Sequence, residues 1–138
     1  MKFLLDTNVV SELRKGRRAN DNVRSWFAQV DDEALHLSAL VIGELRQGIE
    51  RCRRRDPTSA MHLERWLAKI LDAYADRIVP IDGEVAEAWG RLNVPDPLPV
   101  IDGLLAATAQ VHEMTLVTRN TADVLRCDIA MINPFEAR

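Results

Sequence analysis

The sequence predicts an α/β fold: a three-layer α/β/α sandwich around a central, parallel sheet of about five strands. Short apolar runs at 3–5, 35–37, 78–81, 115–117 and 129–132 read as strands, and the first, with no periodic polar partner, reads as buried on both faces. Between them lie segments with apolar residues at helical spacing and recognisable capping residues. An acid, Asp6, also follows the first run directly, and loops leaving the carboxyl ends of parallel strands open a ligand crevice there.

A chain of 138 residues is expected to form one domain, 1–138. Hydrophobic residues make up 47% and charged residues 28%, which is ordinary globular usage and argues against disorder. No apolar run approaches the ~20 residues that cross a bilayer, and the N-terminus lacks the basic-then-apolar layout of a signal peptide. A cytoplasmic protein with no membrane association is therefore expected. Cys52 and Cys127 fit neither a CxxC metal knuckle nor a disulfide framework, and are expected to be reduced thiols. The net charge of −3 argues at first against a nucleic-acid partner. Four carboxylates sequestered around metal would leave the remainder at about +1, with 18 Lys and Arg residues free to meet phosphate.

Taken in order, Phe3, Leu4 and Leu5 form the first strand, and Thr7 and Asn8 turn the chain into the Val9, Val10, Leu13 pattern of a first helix. The basic turn at 14–18 has a glycine breaker and is either a solvated loop or a rim that steers phosphate. Asp21 is expected to cap a second helix whose Val23, Trp26, Phe27 and Val30 share a face. After the 35–37 strand, Ser38 suits the N-cap of a third helix with the stripe Val41, Leu45, Ile49 and Ile42 beside it. Glu44 lies close to that stripe rather than opposite it, and an acid there needs a partner, although acids on helices usually face solvent. The helix leaves through the arginine-rich 51–55 and stops at Asp56-Pro57, where proline suits the first position of the next helix.

That fourth helix carries Leu63, Trp66, Leu67, Ile70, Leu71 and Tyr74, a broad apolar face that is either core or partner surface. Asp82 follows the 78–81 strand and caps a fifth helix bearing Val85, Ala86, Trp89 and Leu92. The VPDPLPV stretch at 94–100 holds three of the six prolines and reads as a rigid loop. It delivers Ile101, Asp102 and Gly103 into a small-residue helix at 104–109. Asp102 is then either a simple cap or a carboxylate stabilised at a positive helix end for chemistry; Asp96 is a weaker competitor. After the 115–117 strand, 118–123 is a polar loop that ends in Asp123.

In a parallel sheet, strand ends and the turns leaving them gather on one edge, so Asp6, Glu44, Asp102 and Asp123 can converge. Four ionised carboxylates within a few Å repel one another unless cations hold them. All-oxygen ligands select hard ions, so Mg²⁺ or Mn²⁺ is expected rather than zinc. His36, His62 and His112 show no ligand spacing, consistent with that choice.

The stretches LLDTNVVSEL, SALVIGELRQGI, LPVIDGLLAATA and LVTRNTADV, in that order, resemble the PIN-domain ribonucleases, and among them the VapC-type toxins of bacterial toxin–antitoxin pairs. The likeness runs from Met1 to the INPF close at Phe135. It implies a metal-dependent endoribonuclease that leaves a 5′-phosphate, with Asp6, Glu44, Asp102 and Asp123 as the acidic quartet around Mg²⁺ or Mn²⁺. Thr7, Thr118 and Asn120 match the polar residues that assist metal, water or phosphate positioning. The likeness also implies a homodimer, and a small antitoxin that blocks the site with a basic side chain and covers the groove between helices. Trp26, Phe27, Trp66 and Tyr74 are the candidates for exposed apolar contacts, with core burial explaining each equally well. This chain departs from the family's pattern at Val124, where an aromatic is common, and at Cys127, where a small residue is usual, so the helix after Asp123 is expected to pack differently.

Other strand-Asp chemistries fit less well. A haloacid-dehalogenase phosphatase needs a second Asp where Asn8 stands, and a receiver domain needs a Lys after its last active-site strand, where this chain has Thr118-Arg119-Asn120. A non-catalytic module of the same fold is expected to have lost one or more acids, and none is lost here.

Overall fold

The 3–5 run is sealed on both faces: Leu4 and Leu5 are 0% and 1% exposed, because a strand at the centre of a parallel sheet has helices above and below it. The computed structural model describes residues 1–137. Five strands, β1 (Phe3–Leu5), β2 (Leu35–Ser38), β3 (Ile78–Val79), β4 (Thr115–Val117) and β5 (Met131–Ile132), pair in parallel in the order β3-β2-β1-β4-β5. Six helices connect them: α1 (Thr7–Leu13), α2 (Asp21–Gln29), α3 (Ala39–Arg53), α4 (Pro57–Ala73), α5 (Gly83–Leu92) and α6 (Val100–His112).

The strand order fixes the layers. From β1 to β2 to β3 the chain steps one way across the sheet, and from β3 to β4 it jumps back past β1. With right-handed crossovers, the first set of connections covers one face and the second set the other. The packing agrees: α1 touches α2 and α3, α3 touches α4, and α5 pairs with α6 apart from them. The chain reverses direction between β1 and β4, the position at which an open α/β sheet forms its crevice.

Capping follows the local chemistry. Ser38 accepts from the Leu40 N–H at 3.1 Å, Asp56 from the Ser59 N–H at 3.1 Å and Asp82 from the Val85 N–H at 3.0 Å. At α2 the cap is Asn20, whose Oδ1 accepts from the Asn22 and Val23 N–H groups; Asp21 sits one position inside, where a carboxylate still meets the positive helix end. The two edge strands are shorter than the apolar runs at 78–81 and 129–132, because each pairs on one side only and Pro80 has no N–H to extend β3. The helix expected at 104–109 starts earlier, at Val100, so Asp102 is its third residue.

Two of the candidate surface aromatics are core. Trp26 is 2% exposed and packs edge-on against Phe3, ring centroids 5.4 Å apart, while Tyr74 is 7% exposed with the Arg77 guanidinium over its ring. Tyr74 is the C-cap of α4, whereas Trp26 lies within α2 on the face that carries buried Val23. Phe27 and Trp66 keep part of their surface in a groove of about 690 Å³, which also meets Leu13, Arg14, Arg24 and Ile70. On the outer side of α3 and α4, Arg46 and Arg53 share the carboxylate of Glu64, at 2.7 and 2.8 Å. Both cysteines are free thiols, and among the described residues no helix is long and apolar enough to cross a membrane.

Candidate active site

The register of the sheet builds the centre of the site. Leu5 lies level with Leu37 of β2 and with Val117 of β4, so the next residue along each chain, Asp6, Ser38 and Thr118, stands at the same carboxyl edge. Asp6 is buried and caps α1: its Oδ1 accepts from the Thr7 N–H at 2.7 Å. Its other oxygen, Oδ2, accepts from the buried Thr118 hydroxyl at 2.7 Å. The Asp6 N–H donates to the Val117 carbonyl at 2.9 Å, so the backbone on which the carboxylate stands is part of the sheet ladder. Both oxygens are aimed by short bonds, which is how a group meant to hold its geometry is fixed.

Thr118 ties in the neighbouring loop. Its hydroxyl donates to Asp6 and accepts from the Asn120 N–H at 3.0 Å, and the Asn120 carbonyl accepts from the Asp123 N–H at 3.3 Å. Asp123 sits on a single 3-10 turn, Thr121–Val124, with its side chain exposed. The helix expected after Asp123 is this one turn; Val124 and Cys127 are both buried beneath the loop instead. Asn120 is exposed, and its side chain makes no cap bond.

Glu44 is turned to the same edge by its helical phase. It is half-buried on the second turn of α3, one residue from buried Leu45, and its Oε1 accepts from the Thr7 hydroxyl at 2.5 Å. Thr7 is therefore the partner that an acid near a buried stripe requires. A trough of about 660 Å³ runs beside it, lined by Leu40, Gly43, Gln47, Ile81 and Ile101.

Asp102 reports the convergence. Burial pushes its carboxyl up first, then the negative charges of Asp6 and Asp123, a hydrogen bond shared with Asp123, and the charge of Glu44; together they raise it to about 6. The four acids are thus near enough to feel one another. Among the described residues, however, no three His, Cys, Asp or Glu side chains stand in metal-ligand geometry. Four like charges repel, and the Asp102 carboxyl carries the result as a raised proton affinity. An all-oxygen basin of this kind suits a hard divalent cation in its donor chemistry, since a cation relieves the repulsion that protonation of Asp102 otherwise relieves. Asn8, which stands where a phosphatase would carry a second Asp, has a buried side-chain oxygen without a partner among the described residues.

An open parallel sheet with carboxylates on the loops and turns around its switch point defines an α/β protein whose acids stand where such sheets form their ligand crevice. The family model for the PIN domain matches residues 3–126, and the chain belongs to that family. Among curated proteins it is 34% identical to Toxin FitB of Neisseria gonorrhoeae, over 96% of this chain and 98% of that protein. It is 31% identical to VapC ribonuclease Y4jK of Sinorhizobium fredii, over 97% and 98% respectively. Among solved structures, FitAB bound to an IR36 DNA fragment superposes with a TM-score of 0.88 at 31% identity, covering 99% of this chain and 97% of that one.

Proposed function

We propose that the chain is a metal-dependent endoribonuclease and the toxin of a type II toxin–antitoxin pair. The observation that supports this reading is that Asp6 stands fixed at the switch point by Thr7 and Thr118, and that its charge and those of Asp123 and Glu44 all act on the Asp102 carboxyl. Relatives named as a toxin and as a VapC ribonuclease support it. Mg²⁺ or Mn²⁺ would be held by these four carboxylates. When bound, it polarises phosphoryl oxygens and makes water a nucleophile near neutral pH.

The protein's own residues do the rest. Thr118 and the Thr7 N–H fix the two oxygens of Asp6, and the Thr7 hydroxyl fixes Glu44, so the carboxylates do not have to be ordered when substrate arrives. The Asn120 amide lies on the exposed rim beside them, where it can meet a phosphate oxygen. Arg14, Lys15, Arg17 and Arg18 stand on the exposed turn after α1, a basic approach for a polyanion whose cut leaves a 5′-phosphate.

For the partner, the groove at Leu13, Phe27, Trp66 and Ile70 offers an apolar floor with Arg14 and Arg24 on its rim. It suits the apolar face of an antitoxin helix carrying acidic flanks. Val94 and Val100, 72% and 59% exposed, offer apolar surface for a second copy in a homodimer.

The decisive experiment is incubation of purified protein with single-stranded RNA in Mg²⁺ or Mn²⁺, with and without EDTA, followed by mapping of the 5′ ends. Cleavage to 5′-phosphate ends that EDTA abolishes is expected, together with growth arrest when the chain is expressed alone. Cleavage that persists in EDTA overturns the metal-dependent mechanism, no cleavage with either ion overturns the nuclease reading, and normal growth with soluble protein overturns the toxin role. Thr118→Val keeps the shape but takes the hydroxyl from Asp6, and a 10–100-fold loss of cleavage is expected at unchanged fold. Full activity in that variant would remove Thr118 from the site.

A further inference from the structure

Of the chain's six glycines, Gly103 alone stands where a side chain would meet a neighbour closer than ordinary contact. A Cβ there would lie 3.2 Å from both Cδ1 and Nε1 of Trp89 and 3.3 Å from Cβ of Leu98, while at each of the others nothing lies within 4 Å. The backbone of the first turn of α6 is therefore pressed directly onto an indole edge from α5 and onto the proline loop. The loop is itself held: the Leu98 N–H donates to Oδ1 of Asn93 at 2.9 Å, and the Gly103 N–H donates to the Pro99 carbonyl at 2.8 Å. Leu98 is 8% exposed, so this contact is part of the interior.

The residue before Gly103 is Asp102. We propose that Trp89, Leu98 and Gly103 form a seat that sets the depth of the first turn of α6, and so places the Asp102 carboxyl opposite Asp6 and Asp123. The three are positioning residues acting through Asp102, and this role rests on the proposed metal-dependent function. The Trp89 N–H strengthens the case, because it is buried without a hydrogen-bond partner. A buried unpaired donor is a cost that a phenylalanine would avoid. The indole is held there by its shape, since the edge that carries the unpaired N–H is the edge that touches Gly103. No other carboxylate of the basin has such a support: Asp6 and Glu44 are aimed by threonine hydroxyls, whereas the α6 terminus has no side-chain cap at all.

The test is a double-mutant cycle read by Mn²⁺ affinity in calorimetry and by kcat and KM on single-stranded RNA. Gly103→Ala overfills the seat and is expected to weaken Mn²⁺ binding 10–100-fold and to lower kcat with KM for RNA unchanged. Trp89→Phe withdraws the indole edge and is expected to weaken Mn²⁺ binding by a smaller factor. The pair together is expected to recover most of the affinity, because the added methyl fills the space the indole leaves. Gly48→Ala, on a part of α3 where a Cβ meets nothing, is expected to bind and cleave as the wild type does. Wild-type affinity in Gly103→Ala, or no recovery in the pair, overturns the seat while leaving the nuclease reading intact. If Gly103→Ala does not fold, unchanged Mn²⁺ affinity in Trp89→Phe overturns it alone. A wild-type protein that neither binds Mn²⁺ nor cuts RNA overturns both readings at once.

Discussion

Asp6→Asn is expected to cut RNA cleavage by a factor of about 10³ or more, equivalent to at least ~4 kcal/mol of transition-state stabilisation. The substitution is close to isosteric, and asparagine is as good an N-cap as aspartate, so the Thr7 N–H keeps an acceptor. The Thr118 hydroxyl, now a donor to Oδ2, can rotate to accept from the new amide. What disappears is the negative charge at the point where β1 and β4 meet. Single-turnover cleavage of a labelled RNA measures the loss, and a thermal melt checks that the fold is kept. Activity within tenfold of wild type would remove Asp6 from the chemistry.

Asp102→Asn is expected to separate function from stability. Cleavage should fall as far as in Asp6→Asn, yet the metal-free variant should melt higher than wild type at pH 7. The sign follows from the direction of the shift. The Asp102 carboxyl sits at about 6 in the folded protein, above its ordinary 3.8, so folding favours its protonated form. That contribution is fully present below pH ~4, is lost as pH rises from there through about 6, and is absent at pH 7, where the ionised group faces three like charges. Asparagine is neutral at every pH, so its advantage should grow from pH 4 to pH 7 and vanish in acid. Adding Mg²⁺ should raise the melting point of wild type more than that of the variant, because the ion relieves the repulsion only where the charge exists. A variant less stable than wild type at pH 7 without metal would show that the four acids do not strain the fold. Sites that strain a fold for chemistry are expected to behave in this way.

Much of this was legible in order along the chain. Apolar runs marked the strands, Ser38 and Asp82 marked helix starts because their side chains satisfy the first free N–H groups, and Pro57 marked another because its missing N–H costs nothing at the first helical position. Asp6, Asp102 and Asp123 were legible as acids after a strand, in a helix's first turn and in a loop that follows a strand, whereas Glu44, in the second turn of its helix, was marked only by its place beside an apolar stripe. The aromatic surface was not. Trp26, Phe27, Trp66 and Tyr74 occur at similar helical spacings, yet Trp26 and Tyr74 are core while Phe27 and Trp66 keep part of their surface in a groove that Tyr74 also lines, since helical phase says which residues share a face but not whether another element covers it.

The sequence by itself determined the alternation of elements and the placing of Asp6 after a strand and Asp102 in the first turn of a helix, because each depends on neighbours a few residues away. Only the tertiary structure decided that Thr7 reaches across 37 residues to Glu44, that Thr118 reaches across 112 to Asp6, and that Trp89 and Gly103 press together beside Asp102. Those contacts depend on strand order and register, β1 lying between β2 and β4 with Leu5 level with both Leu37 and Val117. Register is set by the packing of the whole sheet against its helices, and no local stretch of sequence contains it.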